Sequence, residues 1–227
     1  MTHPALGLAI AYLAGSIPAA FIAGRLAGVD LRNHGSGNLG ATNVTRVLGW
    51  KVGLPVYLFD TAKGAAPVLL LPAWLGVGDS RGWALAYGVA AIVGHVRPVF
   101  LLGRGGGKGV ATAGGVFLAL APYATLVSIA VFVAAVAATG FVSLGSLLAA
   151  VALPLSLVAL QGDRSPVFVA SVVIALFVWW THRANIGRLR RGEESRFGRG
   201  TRKTEPDAEP DAAGGMADRR MNERSRP

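Results

Sequence analysis

The chain contains no cysteine. Disulfides, zinc–thiolate sites, iron–sulfur clusters and a cysteine nucleophile are therefore excluded. Four histidines, His3, His34, His95 and His182, are too scattered for a metal cluster, and no metal or cofactor is called for. Charge is also scarce. Only 15% of the 227 residues are Asp, Glu, Lys or Arg, against 52% hydrophobic, where a soluble domain carries about a quarter charged. Acidic residues are the scarcer sign, 12 against 22 basic, for a net charge of +10. A pI near 11.0 raises the question of nucleic acid. The basic residues, however, sit at the ends of apolar runs and in loops, where membrane topology explains them better.

What is present in quantity is apolar sequence in long runs, such as FLALAPYATLVSIAVFVAAVAA, GSLLAAVALPLSLVAL and VFVASVVIALFVWW. Runs of this length read as membrane-spanning helices. The expected fold is an all-α polytopic membrane protein. Spans are placed at about 4–24, 52–76, 82–102, 144–160 and 166–183. The run 110–138 is too long for one span and breaks at Ala121-Pro122. It is read as a hairpin of two helices of about fourteen residues, each about 21 Å long against a hydrocarbon core of about 30 Å. That makes seven transmembrane helices.

Seven spans put the two ends on opposite sides, with the N-terminus outside and the C-terminus cytoplasmic. Residues 25–51 then carry four basic and one acidic residue on the inside, for +3. Residues 97–109 add Arg97, Arg104 and Lys108, and residues 182–191 add Arg183, Arg188, Arg190 and Arg191. The outer loops pair Asp79 with Arg81 and Asp163 with Arg164, for no net charge. This is the positive-inside pattern of a multi-pass membrane protein. The N-terminus lacks a basic region before its first apolar run, so no cleaved signal peptide is expected. Residues 1–192 form the expected membrane domain. From Glu193 the composition becomes charged and rich in Pro and Gly, the signature of a disordered cytoplasmic tail over 193–227.

Within loop 25–51, Gly35, Gly37 and Gly40 spell the dinucleotide-binding pattern G-x-G-x-x-G. No strand precedes it and Asp60 falls in an apolar span, so that reading fails. Anion binding survives. Glycines let backbone N–H groups converge on a phosphate, and Ser36, Asn38, Thr42, Asn43 and Arg46 supply donors beside them. The second glycine loop, GRGGGKGVAT, carries Gly106, Gly107 and Lys108, but Gly109 follows the lysine, so it is not a Walker A loop. A lysine in a backbone nest at a helix mouth seats a phosphate or carboxylate; a lysine snorkelling to lipid headgroups is the plain alternative. Asp60 and Lys63 stand three apart in a span, as a functional pair or a self-compensating one. His95 lies near the cytoplasmic end of the third span. Ser143 opens another span, and His182 and Asn185 share a helix face at the end of the last one. Arg183 and Arg188 read equally well as topology anchors. All of these positions fall on one side of the membrane.

Taken in order, GSIPAAFIAGRLAGVDLRNHGSGNLGATNVTRVLG, DTAKG, GHVRPVFLLGRGGGKGVAT, FVSLGS and HRANIGRLRRGEE resemble the bacterial membrane acyl-phosphate:glycerol-3-phosphate acyltransferase family. The resemblance runs from about Gly15 to Glu193. It implies transfer of a fatty acyl group from acyl phosphate to the 1-hydroxyl of glycerol 3-phosphate, giving lysophosphatidic acid and phosphate without metal or cofactor. By motif, Ser36, Gly37, Asn38, Thr42, Asn43, Arg46, Lys63, His95, Gly106 and Gly107 fall to substrate binding. Lys108, Ser143, His182 and Asn185 fall to catalysis. The lysine loop departs slightly, with Arg104 and an extra glycine. The implied partners are the two substrates and membrane lipid, with no nucleic acid, and the enzyme is expected to be a monomer. The base for the glycerol hydroxyl stays open between His182 and a phosphate oxygen of the donor, with an acyl-Ser143 route ranked last. A phosphate or phospholipid transporter is the competing class.

Overall fold

The computed structural model describes residues 3–77, 80–162 and 165–197. Asp79, Asp163, Arg164 and the tail beyond Phe197 lie outside the described residues. Among the described residues all regular structure is helical: α1 Pro4–Ser16, α2 Ala19–Leu26, α3 Ala41–Leu48, α4 Trp50–Trp74, α5 Arg81–Val96, α6 Val110–Leu120, α7 Pro122–Thr139, α8 Val142–Gln161, α9 Pro166–Thr181 and α10 Arg183–Arg191. A short 3₁₀ turn, Val99–Leu101, extends α5.

The bundle buries an apolar core and also exposes large apolar side chains, as a soluble protein does not. Leu58, Leu69, Leu70, Trp74, Leu155 and Leu176 are exposed, whereas Ser16, Asn43, Asp60, Lys63, His95, Thr112, Ser143, His182 and Asn185 are buried. That distribution fits hydrocarbon outside and polar groups gathered within. Five segments are long and apolar enough to cross a bilayer: Pro4–Leu26, Trp50–Trp74, Arg81–Leu101, Pro122–Thr139 and Val142–Leu160. Helices α9 and α10, bent by 55° at His182, make a sixth if read as one span. With α6 there are seven apolar segments where seven spans are expected. The hairpin is not symmetric, however. Its break does fall at Ala121-Pro122, but α6 has 11 residues and α7 has 18. At 1.5 Å per residue α7 is about 27 Å long and α6 only about 16 Å. Pro122 starts α7, and the apolar run simply continues to Thr139, so only one half is short.

Helices that neither bury apolar surface from water nor repel one another must pack by close backbone approach, which small residues permit. A Cβ on Gly15 of α1 would lie 2.1 Å from the Ala91 carbonyl oxygen of α5, and one on Gly94 of α5 2.2 Å from that of Tyr12. Likewise a Cβ on Gly64 of α4 would lie 2.2 Å from the Thr112 oxygen, and one on Gly115 of α6 1.9 Å from the Thr61 oxygen. These reciprocal contacts lock α1 to α5 and α4 to α6, and so fix the loop between α5 and α6 that carries Lys108.

Candidate active site

Four segments far apart in sequence meet around one carboxylate. At the end of α9 the chain turns through His182, whose Nδ1–H donates to the Val178 carbonyl at 2.8 Å. This leaves Nε2 as the free ring nitrogen. Asn185 follows three residues on, in the first turn of α10, and is buried. Gly192 then takes a left-handed conformation at φ 71°, and the Glu193 N–H bonds back to the Arg188 carbonyl at 2.8 Å. This glycine-terminated helix end folds the next residues back along α10. Glu194 is thereby placed with one oxygen accepting from Asn185 Nδ2 and the other from Arg188 Nε, both at 2.6 Å.

Lys108 reaches the same cluster from the glycine loop, its Nζ donating to Asn185 Oδ1. Thr181 Oγ1 donates to the Val178 carbonyl at 3.0 Å, with the Lys108 carbonyl 3.5 Å away. Ser143, in the first turn of α8, is buried beside Glu194, and its hydroxyl has no well-formed hydrogen bond. Burial pushes the Lys108 ammonium down to about 8, aided by Arg188 and Arg46 and opposed by Glu194. Burial raises the Glu194 carboxyl, but the hydrogen bonds from Asn185 and Arg188, with the Ser143 hydroxyl beside them, more than offset it and hold the group below the usual carboxylate range. Three cations, Arg46, Lys108 and Arg188, thus share one anion. An anionic ligand would find excess positive charge there, with preorganised donors.

The first glycine loop is built differently from its expectation. Residues 41–48 are not loop but helix α3, which carries Thr42, Asn43 and Arg46. Asn43 is 1% exposed and engaged at both ends. Its Nδ2 donates to the carbonyls of Leu31 and His34 at 3.2 and 3.0 Å, and its Oδ1 accepts from the Ser36 N–H at 2.8 Å and from Arg46 at 3.4 Å. Asn43 therefore holds the loop's shape, and the Ser36 N–H is turned inward. Gly35 and Gly37, both at positive φ, allow that turn. The outward donors are the Ser36 and Thr42 hydroxyls, Asn38 and the start of α3.

Lys63 and His95 stand in a second group. Lys63 Nζ lies 2.7 Å from Asp60 Oδ1 and donates to the Ile17 carbonyl at 2.8 Å. Pro18 breaks the first span there, and the Ile17 carbonyl accepts the lysine together with the Ala19 N–H at 3.1 Å. His95 Nδ1 is 3.6 Å from Asp60 Oδ1, and the far side of its ring abuts Gly107, where a Cβ would lie 2.2 Å from Nε2. A Cβ on Gly106 would meet the Val96 carbonyl at 2.1 Å. The hollow these residues line is about 10 Å³, room for one water. Among the described residues no hydrogen bond joins this group to the Lys108 network; it supports the lysine loop from behind. Nor, among the described residues, do three His, Asp or Glu side chains converge as metal ligands.

The pattern of the glycerol-3-phosphate acyltransferase family matches residues 5–192. The chain belongs to that family. A glycerol-3-phosphate acyltransferase of Geobacter sulfurreducens is 50% identical over 83% of this chain and 95% of its own length. The relative from Trichlorobacter lovleyi is 48% identical over 87% and 99%. The fold is similar to that of PlsY, an integral membrane glycerol 3-phosphate acyltransferase, in its glycerol 3-phosphate form, with a TM-score of 0.79, 40% identity, and 86% and 96% of the two chains covered. PlsY in its lysophosphatidic acid form aligns with a TM-score of 0.76. The solved acyltransferase and this chain thus share a helical membrane fold over nearly the whole described length.

Within this acyltransferase framework, sequence reasoning missed Glu194 and left Arg188 as an anchor. The composition change at Glu193 reads as the start of a solvated tail, yet Glu194 turns into the site and the residues after it are tied beside it. The Phe197 N–H bonds the Gly140 carbonyl at 2.7 Å, and the Arg196 guanidinium lies 5.2 Å from the Phe141 ring centroid. The local signal was Gly192, a helix-stop residue after RLRR that returns the chain onto α10.

Proposed function

We propose that this protein transfers a fatty acyl group from acyl phosphate to the 1-hydroxyl of glycerol 3-phosphate, giving 1-acylglycerol 3-phosphate and phosphate. The observation that carries the reading is the shared cationic cluster of Arg46, Lys108 and Arg188, set beside Ser143 and His182 and balanced by the single carboxylate of Glu194. The glycerol 3-phosphate and lysophosphatidic acid forms of PlsY support the same acceptor and product.

Acyl phosphate is a mixed anhydride, so its leaving group is already good. The chief task is to hold two mutually repelling anions together. Ser36, Thr42, Arg46 and the start of α3 hold one phosphate, and Lys108 and Arg188 hold the other. The glycerol oxygen attacks the acyl carbon, the acyl C–O bond to phosphate breaks, and the alcohol proton passes to His182 Nε2 or to the departing phosphate. Asn185 positions Lys108. The site faces the cytoplasm, with the N-terminus outside, of a bacterial inner membrane; a single cysteine introduced at Arg196 into this cysteine-free chain should resist an impermeant maleimide in intact cells.

The deciding experiment is phosphate release by purified protein in detergent, given palmitoyl phosphate with and without glycerol 3-phosphate, alongside Lys108→Met. Release that requires the acceptor and disappears in the variant supports direct transfer. Release without the acceptor favours an acyl-Ser143 route, and no release from folded protein brings transport forward. His182→Gln separates the two proton acceptors, since only a histidine base predicts a large loss.

A further inference from the structure

Two successive glycines seat the lysine loop on the end of α5. At Gly106 the loop lies against helix backbone, since a Cβ there would meet the Val96 and His95 carbonyl oxygens at 2.1 and 2.6 Å. Around Gly107 the three atoms nearest to where a Cβ would stand all belong to the His95 ring: Nε2 at 2.2 Å, Cε1 at 2.7 Å and Cδ2 at 3.3 Å. Gly107 is not among the glycines at positive φ, so the ring, and not the backbone, forbids a side chain there. Lys108 is the next residue. The ring itself has little room to give way. It is buried, and its other nitrogen, Nδ1, lies 3.6 Å from Asp60 Oδ1. Asp60 is paired with Lys63, which donates to the Ile17 carbonyl at the end of α1. The hollow that these side chains share with the loop is about 10 Å³, enough for one water and too small for an imidazole to swing into.

We propose that His95 is a positioning residue for Lys108. Its ring, backed by Asp60, is the stop on which the loop rests, and it sets how far the ammonium reaches toward Asn185, to whose Oδ1 Lys108 Nζ donates. The motif resemblance places His95 in substrate binding, but the ring is taken up on both sides, by Asp60 and by Gly107. The use made of Lys108 rests on the acyl-transfer reading above; the seating of its loop does not. The two ends of the ring can be replaced separately. A glutamine amide reaches about as far as Nε2, the end that meets Gly107. An asparagine amide reaches only about as far as Nδ1, the end that faces Asp60. If the contact with Gly107 is what counts, glutamine should stand in for His95 and asparagine should not.

The test compares His95→Ala, His95→Asn and His95→Gln in the purified full-length protein. Asp60 keeps Lys63 as its partner in all three, so the buried pair survives. With palmitoyl phosphate and glycerol 3-phosphate, kcat/KM should fall by roughly a hundredfold in the alanine and asparagine variants, the cost of a small misplacement of a catalytic group, and glutamine should restore most of it. A second readout does not need turnover. The chain has no cysteine, so nitroxides can be placed at Arg104→Cys in the loop and Tyr123→Cys beyond α6, both exposed in the unaltered protein. The distance distribution between them should broaden or shift in the alanine and asparagine variants and keep its unaltered form with glutamine. An unchanged distribution in His95→Ala would overturn the proposal, and lost activity beside it would return His95 to a substrate contact. Asparagine restoring both readouts where glutamine does not would also overturn it, leaving His95 to serve Asp60 alone. If His95→Ala does not fold, the asparagine and glutamine variants still decide between the two ends of the ring. Absence of acyl-phosphate turnover in the unaltered protein is a separate result, which fails the reaction assignment, while the nitroxide distances still decide the seating of the loop.

Discussion

Lys108 and Glu194 are joined through the two ends of one amide: Asn185 Oδ1 accepts from the lysine and Asn185 Nδ2 donates to the carboxylate. A carboxylate in its place could accept from the lysine but not donate to Glu194. Asn185→Asp would set a second carboxylate against Glu194, and Asn185→Ala would release both partners. Each should cost roughly a hundredfold in kcat/KM, the usual penalty for a small misplacement of a catalytic group. Steady-state kinetics on variants with unchanged melting temperature check this. Near-normal activity in Asn185→Ala would remove the amide from the site.

The same network predicts a pH dependence. Lys108 titrates at about 8 because burial, aided by Arg188 and Arg46, outweighs the carboxylate that favours its charged form. Phosphate binding through an ammonium is therefore complete below neutrality and lost as pH rises through about 8. Glu194→Gln removes the raising influence, so its alkaline limb should move to lower pH. Glu194 itself, held below the usual carboxylate range, stays ionised across the physiological range. The profile of kcat/KM reports free-enzyme groups. An alkaline limb that stays in place in Glu194→Gln would separate Lys108 from Glu194.

Much of this arrangement is written locally, and the part that is not follows a physical rule. Long apolar runs, the Ala121-Pro122 break and the i, i+3 spacings of Asp60 with Lys63 and His182 with Asn185 are visible in the chain. Helix α3 is not, because eight residues between Gly40 and Gly49 make barely two turns and their polar composition reads as loop. Glu194 was hidden for a different reason. Charged residues beside a disordered composition read as solvated, and only the return at Gly192 shows that one of them turns inward. The destination of Lys63, the Ile17 carbonyl 46 residues away, is a tertiary fact that no spacing encodes.

That destination makes a prediction. If Lys63 serves Asp60 and Ile17, Lys63→Met leaves the buried carboxylate with only His95 beside it and should destabilise the protein by up to about 3–5 kcal/mol. The double variant Asp60→Asn, Lys63→Met should recover most of that loss, with activity recovering alongside. Thermal unfolding in detergent measures the first quantity and phosphate release the second. A double variant that is stable but inactive would instead assign Lys63 to substrate.

Two neighbouring glycines of α6 should behave oppositely. A methyl on Gly115 would press on the Thr61 carbonyl oxygen at 1.9 Å, where α4 and α6 touch backbone to backbone. One on Gly114 meets nothing within 4 Å. Gly115→Ala must push α6 away from α4, at about 1–3 kcal/mol for an overpacked contact. It also shifts the Lys108 loop that enters α6, so activity should fall with stability. Gly114→Ala gains helix propensity and should be neutral or stabilising by up to about 1 kcal/mol. Melting temperatures of the two variants side by side decide the point. Equal effects would mean that close approach at Gly115 does not hold α4 against α6, and that the loop carrying Lys108 is positioned by something other than that contact.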